Sequence, residues 1–253
     1  MNRIAAFIYH DVTDNPHDSG FQNSGAMVYK HPVREFHDNL EAIKSSKVPI
    51  ITVRELSETT EDAIMLTFDD GGKSFMHIAE ELNKLGIKGH FFISTSFIGQ
   101  RTFVNRQDIK DLHNNGHIIG SHSNAHPFVF YSLSFNKMMD EWSSSKAILE
   151  EIISDEVICC SVPGGDADAK TYLTARQCGY KFIFDSEITM DLRHESDALI
   201  IGRVCPKQGT NLSIVRDYAN FKGFAMARNI RAVKKLAKMV IYPVYTAMRK
   251  RPA

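Results

Sequence analysis

The stretch LTFDDGGKS (66–74) ends an apolar run on two adjacent carboxylates, Asp69 and Asp70, and follows them with two glycines. Like charges side by side repel, and a cation bound by one of them offsets that repulsion. A second stretch, GSHSNAHP (120–127), offers matching donors: His122 closes an apolar run and His126 follows four residues later. Two imidazoles at that spacing can face one point on a helical or tightly turned backbone. An Asp and two His with positions left open for water form a ligand set for zinc or another divalent ion. The other carboxylate of the pair can then serve as general base to a polarised water. Gly71 and Gly72 let the backbone turn sharply behind it. Among eleven histidines the H-x-x-x-H spacing alone is a weak signal, since His113 and His117 share it. Its co-occurrence with Asp69-Asp70 at strand ends carries the argument, against the plainer reading of a capped turn and two surface histidines.

The surrounding chain must bring these stretches together. Flat apolar runs at 4–9, 63–68, 90–95, 117–121, 157–162, 181–185 and 198–204 read as strands buried on both faces. Helical patterns at 33–46, 73–86, 106–116, 134–153 and 169–179 lie between most of them; several stop on glycine, and Ser134 is an N-cap candidate. Such alternation implies a parallel sheet with helical crossovers, without deciding between barrel and open sheet. In a barrel the C-terminal strand ends carry the chemistry, and His10, Asp69, Asp70, Ser94 to Ser96 and His122 fall at such ends.

Charge divides the chain. Residues 218–253 carry nine Lys or Arg and no acidic residue, whereas the first 217 hold 21 basic against 30 acidic residues. We expect one domain over 1–217 and a basic amphipathic helix or tail over 218–253. A helix of that type suits an anionic membrane surface or packing on the acidic body, and no motif supports nucleic-acid binding. The four cysteines read as free thiols of a reducing compartment. With only a short apolar run before His10 and none of membrane-spanning length, the expectation is a cytoplasmic protein, peripheral at the inner membrane face if the tail binds lipid.

In this order and at this distance, TFDDG (67–71) and HSNAHP (122–127) resemble the polysaccharide deacetylases, carbohydrate esterase family 4. FIYHDV (7–12), VPGGDAD (162–168) and ARQCGYKFIFDSE (175–187) extend the resemblance over roughly residues 4–205. It implies a distorted (β/α) barrel of about seven parallel strands. It implies Asp69 as catalytic base, with Asp70, His122 and His126 holding a divalent metal: zinc first, then cobalt, nickel or manganese. The oxyanion donor would be the backbone amide of Gly165 or Asp166.

Two positions depart from the family pattern. Where the third motif usually opens with an arginine that orients the base, this chain has Ser161. Arg203, at a late strand end, is the residue that would approach from the other side, a rim salt bridge being its plainer reading. The family's late Leu-x-His, source of the general acid, is matched only by Leu192-Arg193-His194 in a polar stretch, and His10 is the rival acid. Phe128 and Tyr131 are the aromatics expected to stack on sugar. The expected function is metal-dependent deacylation, chiefly de-N-acetylation, of an amino-sugar glycan or a lipid- or nucleotide-linked precursor in envelope or exopolysaccharide synthesis. The rivals are a deformylase or amidase on a smaller amide and an inactive carbohydrate-binding homologue.

Overall fold

The computed structural model describes residues 2–233. Most of the apolar and basic pattern expected of the tail falls on 234–253 and lies outside them. Among the described residues eleven strands form: β1 (Ile4–Tyr9), β2 (Asp11–Val12), β3 (Lys30–His31), β4 (Ala63–Phe68), β5 (His90–Ile93), β6 (Ile118–Ser121), β7 (Cys159–Ser161), β8 (Phe182–Phe184), β9 (Arg193–Glu195), β10 (Ala198–Ile201) and β11 (Arg203–Val204). The helices are α1 (Val33–Lys44), α2 (Phe75–Lys84), α3 (Arg106–Asn114), α4 (Phe135–Ile153), α5 (Ala169–Gln177) and α6 (Leu212–Ala219), and residues 224–233 are also helical. Ser134 caps α4 as its side chain accepts from the Lys137 N–H. No helix among the described residues is long and apolar enough to cross a membrane.

Nine strands make one sheet in the order β11-β1-β4-β5-β6-β7-β8-β10-β9, parallel except for β9 against β10. The ribbon 198–204 decides barrel against open sheet. Its first half, β10, pairs with β8 and its second half, β11, pairs with β1, so one continuous segment joins the two ends of the sheet. Gly202 divides the halves, and a Cβ there would lie 2.2 Å from the Glu187 carbonyl oxygen. The result is the distorted (β/α) barrel with seven parallel positions around the ring.

Strand residues alternate between two cores. On β1 and β4, Ala5, Phe7, Tyr9, Ile64, Leu66 and Phe68 face the helices, where they meet Phe36, Leu40, Phe75 and Trp142. Ile4, Ala6, Ala63 and Met65 face inward with Phe92, Cys159, Phe184 and Ile201. Continuing the alternation, Asp69 follows Met65 and Thr67 on the inward face, and Arg203 follows Ile201. Chain direction places both at the C-terminal mouth. Phe224 is buried in the helix-side core against Tyr218, ring centroids 5.3 Å apart, so the segment after α6 begins packed on the barrel.

The fully buried His90 accepts from the Val53 N–H at Nε2 (3.0 Å) and donates from Nδ1 to the Leu66 carbonyl (3.0 Å). Protonating Nε2 would set a donor against a donor. Burial holds the imidazole pKa down to about 4, against 6.5 for the free group. The unfolded chain therefore binds one more proton than the native state between these values, and stability falls as pH drops through that window. We expect His90 to contribute a loss of about 1.4 kcal/mol per pH unit there. Urea unfolding at pH 7, 6 and 5 checks this: His90→Gln should flatten the slope, and an unchanged slope would remove His90 as its source.

Candidate active site

Arg203 is 1% exposed, and every N–H of its guanidinium has a partner. Nη1 donates to Asp69 Oδ1 (2.8 Å) and to Thr67 Oγ1 (3.1 Å). Nη2 donates to Asp69 Oδ2 (2.9 Å) and to Ser161 Oγ (2.7 Å), and Nε donates to the Asp185 carbonyl (3.0 Å). Ser161 Oγ in turn donates to Asp69 Oδ2 at 2.9 Å. A bidentate guanidinium–carboxylate pair fixes both position and plane of the carboxylate. Arg203 is thus no solvent-facing rim bridge; it clamps Asp69 from β11, while Ser161 completes the clamp from β7. Burial pushes the Asp69 carboxyl up, but the charge and hydrogen bonds of the Arg203 guanidinium outweigh it and hold the group below the usual carboxylate range.

Asp70 turns the other way. It has φ +84°, in the left-handed region that residues with a Cβ seldom adopt, and His126 (+51°) and Ser123 (+62°) share that region. The Asp70 carboxylate lies 3.3 Å from His122 Nε2 and 3.4 Å from His126 Nε2. His122 Nδ1 donates to the Ser161 carbonyl at 2.9 Å, which assigns the proton to Nδ1 and leaves the Nε2 lone pair facing Asp70. All three ligand atoms lie within 4.8 Å of one another. The two measured separations match the edges, roughly 3.3–3.4 Å, of a tetrahedral site with ligand bonds of about 2.0–2.1 Å. The donor set and its spacing fit a divalent cation.

Several residues that the sequence reading passed over hold these groups. The buried Asp11 accepts from Ser19 Oγ and from Ser74 Oγ (2.8 Å), tying the segment before β3 to the turn after Asp70. Gly71, at φ +93°, makes that turn, but Gly72 serves another purpose: a Cβ there would lie 2.0 Å from Asp11 Oδ1. Glu141 on α4 accepts from the Asn124 (2.9 Å) and Ala125 (2.7 Å) N–H groups and so fixes the loop that carries His126. Arg231 Nη2 donates to Asp166 Oδ1 (2.7 Å), and Nη1 donates to the Ser186 carbonyl. Only the seryl and acidic types near strand ends hinted at these contacts.

A cleft of about 1150 Å³ contains Asp69, Asp70, His122 and His126, and His10, Gly165, Asp166 and Phe128 line it too. His10 Nδ1 is buried without a hydrogen-bond partner among the described residues. The Gly165 N–H donates to the Val162 carbonyl (2.9 Å), so of the two amides considered as oxyanion donors Asp166 is the one left over. A Cβ on Gly165 would sit 1.9 Å from Ser186 Oγ, which keeps the turn glycine-only. Two expected residues are not brought in. His194 is exposed on β9, which pairs only with the outer side of β10, and it does not line the cleft. Tyr131 also lies outside the lining, whereas Phe128, 95% exposed, stands at the mouth.

The polysaccharide deacetylase family model matches residues 57–183, half of the chain, including Asp69, Asp70, His122 and His126. The chain belongs to the polysaccharide deacetylase family. Arg203 lies beyond the matched span. The chain is 23% identical over 158 residues to the YxkH protein of Bacillus subtilis (strain 168), a match spanning 59% of this chain and just over half, 56%, of that relative's length. Its fold is similar to IcaB of Ammonifex degensii, with a TM-score of 0.74 and 19% identity over 87% of this chain and 98% of that one. A de-N-acetylase from Aggregatibacter actinomycetemcomitans gives a TM-score of 0.69 and 17% identity over 86% and 100% of the two chains.

Proposed function

We propose that this deacetylase is a metal-dependent de-N-acetylase of an amino-sugar glycan, or of a lipid- or nucleotide-linked precursor in envelope or exopolysaccharide synthesis. The observation that carries the proposal is the placement of a clamped, unprotonated Asp69 in one cleft with the Asp70–His122–His126 cluster. Asp70, His122 and His126 would hold a divalent ion, zinc being the first choice for this donor set. Such an ion supplies Lewis acidity to the amide carbonyl and makes water a nucleophile near neutral pH.

The chain's own residues do the rest. Asp69, its plane set by Arg203 and Ser161, takes the proton of the attacking water. The Asp166 N–H donates to the oxygen on which negative charge develops, and the Arg231 ion pair positions that loop. As the C–N bond breaks, the departing amine takes a proton from His10, which lies in the same cleft. Acetate and a free amino sugar result. Arg203 also weighs against an inactive carbohydrate-binding homologue, because the guanidinium missing at position 161 reaches the base from β11. The phrase de-N-acetylase in the name of the Aggregatibacter relative accords with this chemistry.

The test is release of acetate and formate from N-acylated sugars, nucleotide sugars and lipid-linked sugars. It compares metal-stripped protein with protein reloaded with zinc, cobalt, nickel or manganese. Acetate release should appear only on reloading and fall to background in His122→Ala with His126→Ala. Formate without acetate would point to the deformylase reading. Full turnover after stripping would sink the metal assignment.

A further inference from the structure

The cleft joins two unlike linings. One is Asp69, Asp70, His122 and His126; the other is a wall built from α6 and the helical residues 224–233, whose Arg231 reaches across to Asp166. That wall is apolar and open to solvent. Ile214 on α6 is 43% exposed, and Met226 and Ile230 on the next helix are 70% and 45% exposed. Phe128 and Ile188 add apolar surface to the lining of the same cleft. Met226 and Ile230 stand four residues apart on one helix face, and Val233, also exposed, extends it by another turn. Exposed large apolar side chains scattered singly need no explanation, but a contiguous set around one cleft marks a binding surface. Asp217 is the one acidic residue this wall presents to the cleft, and Arg231, its one basic residue there, is paired with Asp166.

We infer that the wall receives an apolar chain, and that the substrate is an amphiphile: an acylated amino sugar carried on a lipid. The inference rests on the deacetylase reading and narrows it. The sugar reaches the carboxylate–histidine end, and the aglycone lies along Phe128, Ile188, Ile214, Met226 and Ile230. Continuity of the wall with the catalytic cleft selects this occupant, because a sugar seated beside Asp69 directs its aglycone along the same cavity. A wholly polar polymer would leave these side chains wet. The sequence that follows, rich in Lys and Arg without acidic residues, is suited to the anionic surface from which such a carrier would be taken.

The test titrates the full-length protein with the methyl and the octyl glycoside of N-acetylglucosamine, by calorimetry below the micelle concentration of the octyl compound. Each methylene that leaves water is worth about fourfold in affinity. The octyl glycoside should therefore bind at least about 60-fold tighter if three or more methylenes are seated. Met226→Ser with Ile230→Ser should bring the ratio to within about threefold of unity. Phe128→Ser with Ile214→Ser repeats the test on other elements should the first pair fail to fold. Equal affinities in the parent, no binding of either glycoside, or an octyl advantage untouched by both variants would overturn the inference. Self-association abolished by the same substitutions, without an octyl advantage, would assign the wall to a second copy of the chain. The titration reads binding and not turnover. Octyl preference without acetate release would sink the deacetylase reading alone, and acetate release with equal affinities would sink the lipid inference alone.

Discussion

Asp69→Asn is expected to lower kcat about 10⁴-fold, near the upper end of what a general base contributes, while metal content stays at that of the parent. The carboxylate faces the clamp and His122 Nε2 is 3.9 Å away, whereas the cluster suited to a cation is made by Asp70, His122 and His126. Asparagine keeps one acceptor for Arg203 but turns an NH₂ donor towards the other guanidinium nitrogen or Ser161. It also leaves the Arg203 charge buried without its counter-charge. Removing one partner of a buried pair costs about 3–5 kcal/mol, so a lower melting temperature should accompany the loss of rate. Single-turnover assays and metal analysis on the same folded sample separate the effects. An unchanged rate would remove Asp69 as base, and loss of the metal would move it into the ligand set.

Arg203→Leu should be nearly as damaging. The substitution strips Asp69 of its bidentate partner and Ser161 of a donor, inside a barrel mouth where Asp69 is 2% exposed. Burial then pushes the Asp69 carboxyl up unopposed by the guanidinium. The pH sign follows. A depressed carboxylate pKa keeps the base ionised down to low pH, and raising it moves the acid limb of kcat/KM to higher pH. We expect a loss of about 10²–10³-fold in kcat at neutral pH, part of it regained as pH rises. Arg203→Lys should recover charge but not the two-pronged geometry, and so restore the pH profile more than the rate. The double variant Ser161→Arg with Arg203→Ser returns the guanidinium to the position the family motif leads one to expect. It should recover at least about tenfold over Arg203→Ser alone. A rate for Arg203→Leu equal to that of the parent would reduce the clamp to a packing device.

The parts legible in the sequence were local. Asp69 with Asp70, and His122 with His126, each sit in one short stretch, and in both the donors follow an apolar run that ends as a strand. The alternation of strand and helix announced parallel crossovers for an equally local reason, since apolar period and helix caps are written within a dozen residues. The expected strand 157–162 shortened to Cys159–Ser161, yet still delivered Ser161 to the barrel mouth. His194 shows the limit: its Leu-x-His pattern is correct as text, but the antiparallel pairing of β9 with β10 carries it outward. Tyr131 and Phe128 were equivalent as text, and only the course of the loop brings Phe128 to the cleft.

By itself the sequence determined the family, the parallel architecture and the grouping of two carboxylates with two imidazoles, because each is encoded by spacing along a few residues. The tertiary structure alone decided that the sheet closes, since a single segment pairs β8 with one half and β1 with the other. It alone decided that the partner of Asp69 is Arg203, 134 positions away. In strands apolar on both faces no pattern tells inward from outward. Which residues meet at the mouth is set by register and closure, and these exist only once the barrel has formed.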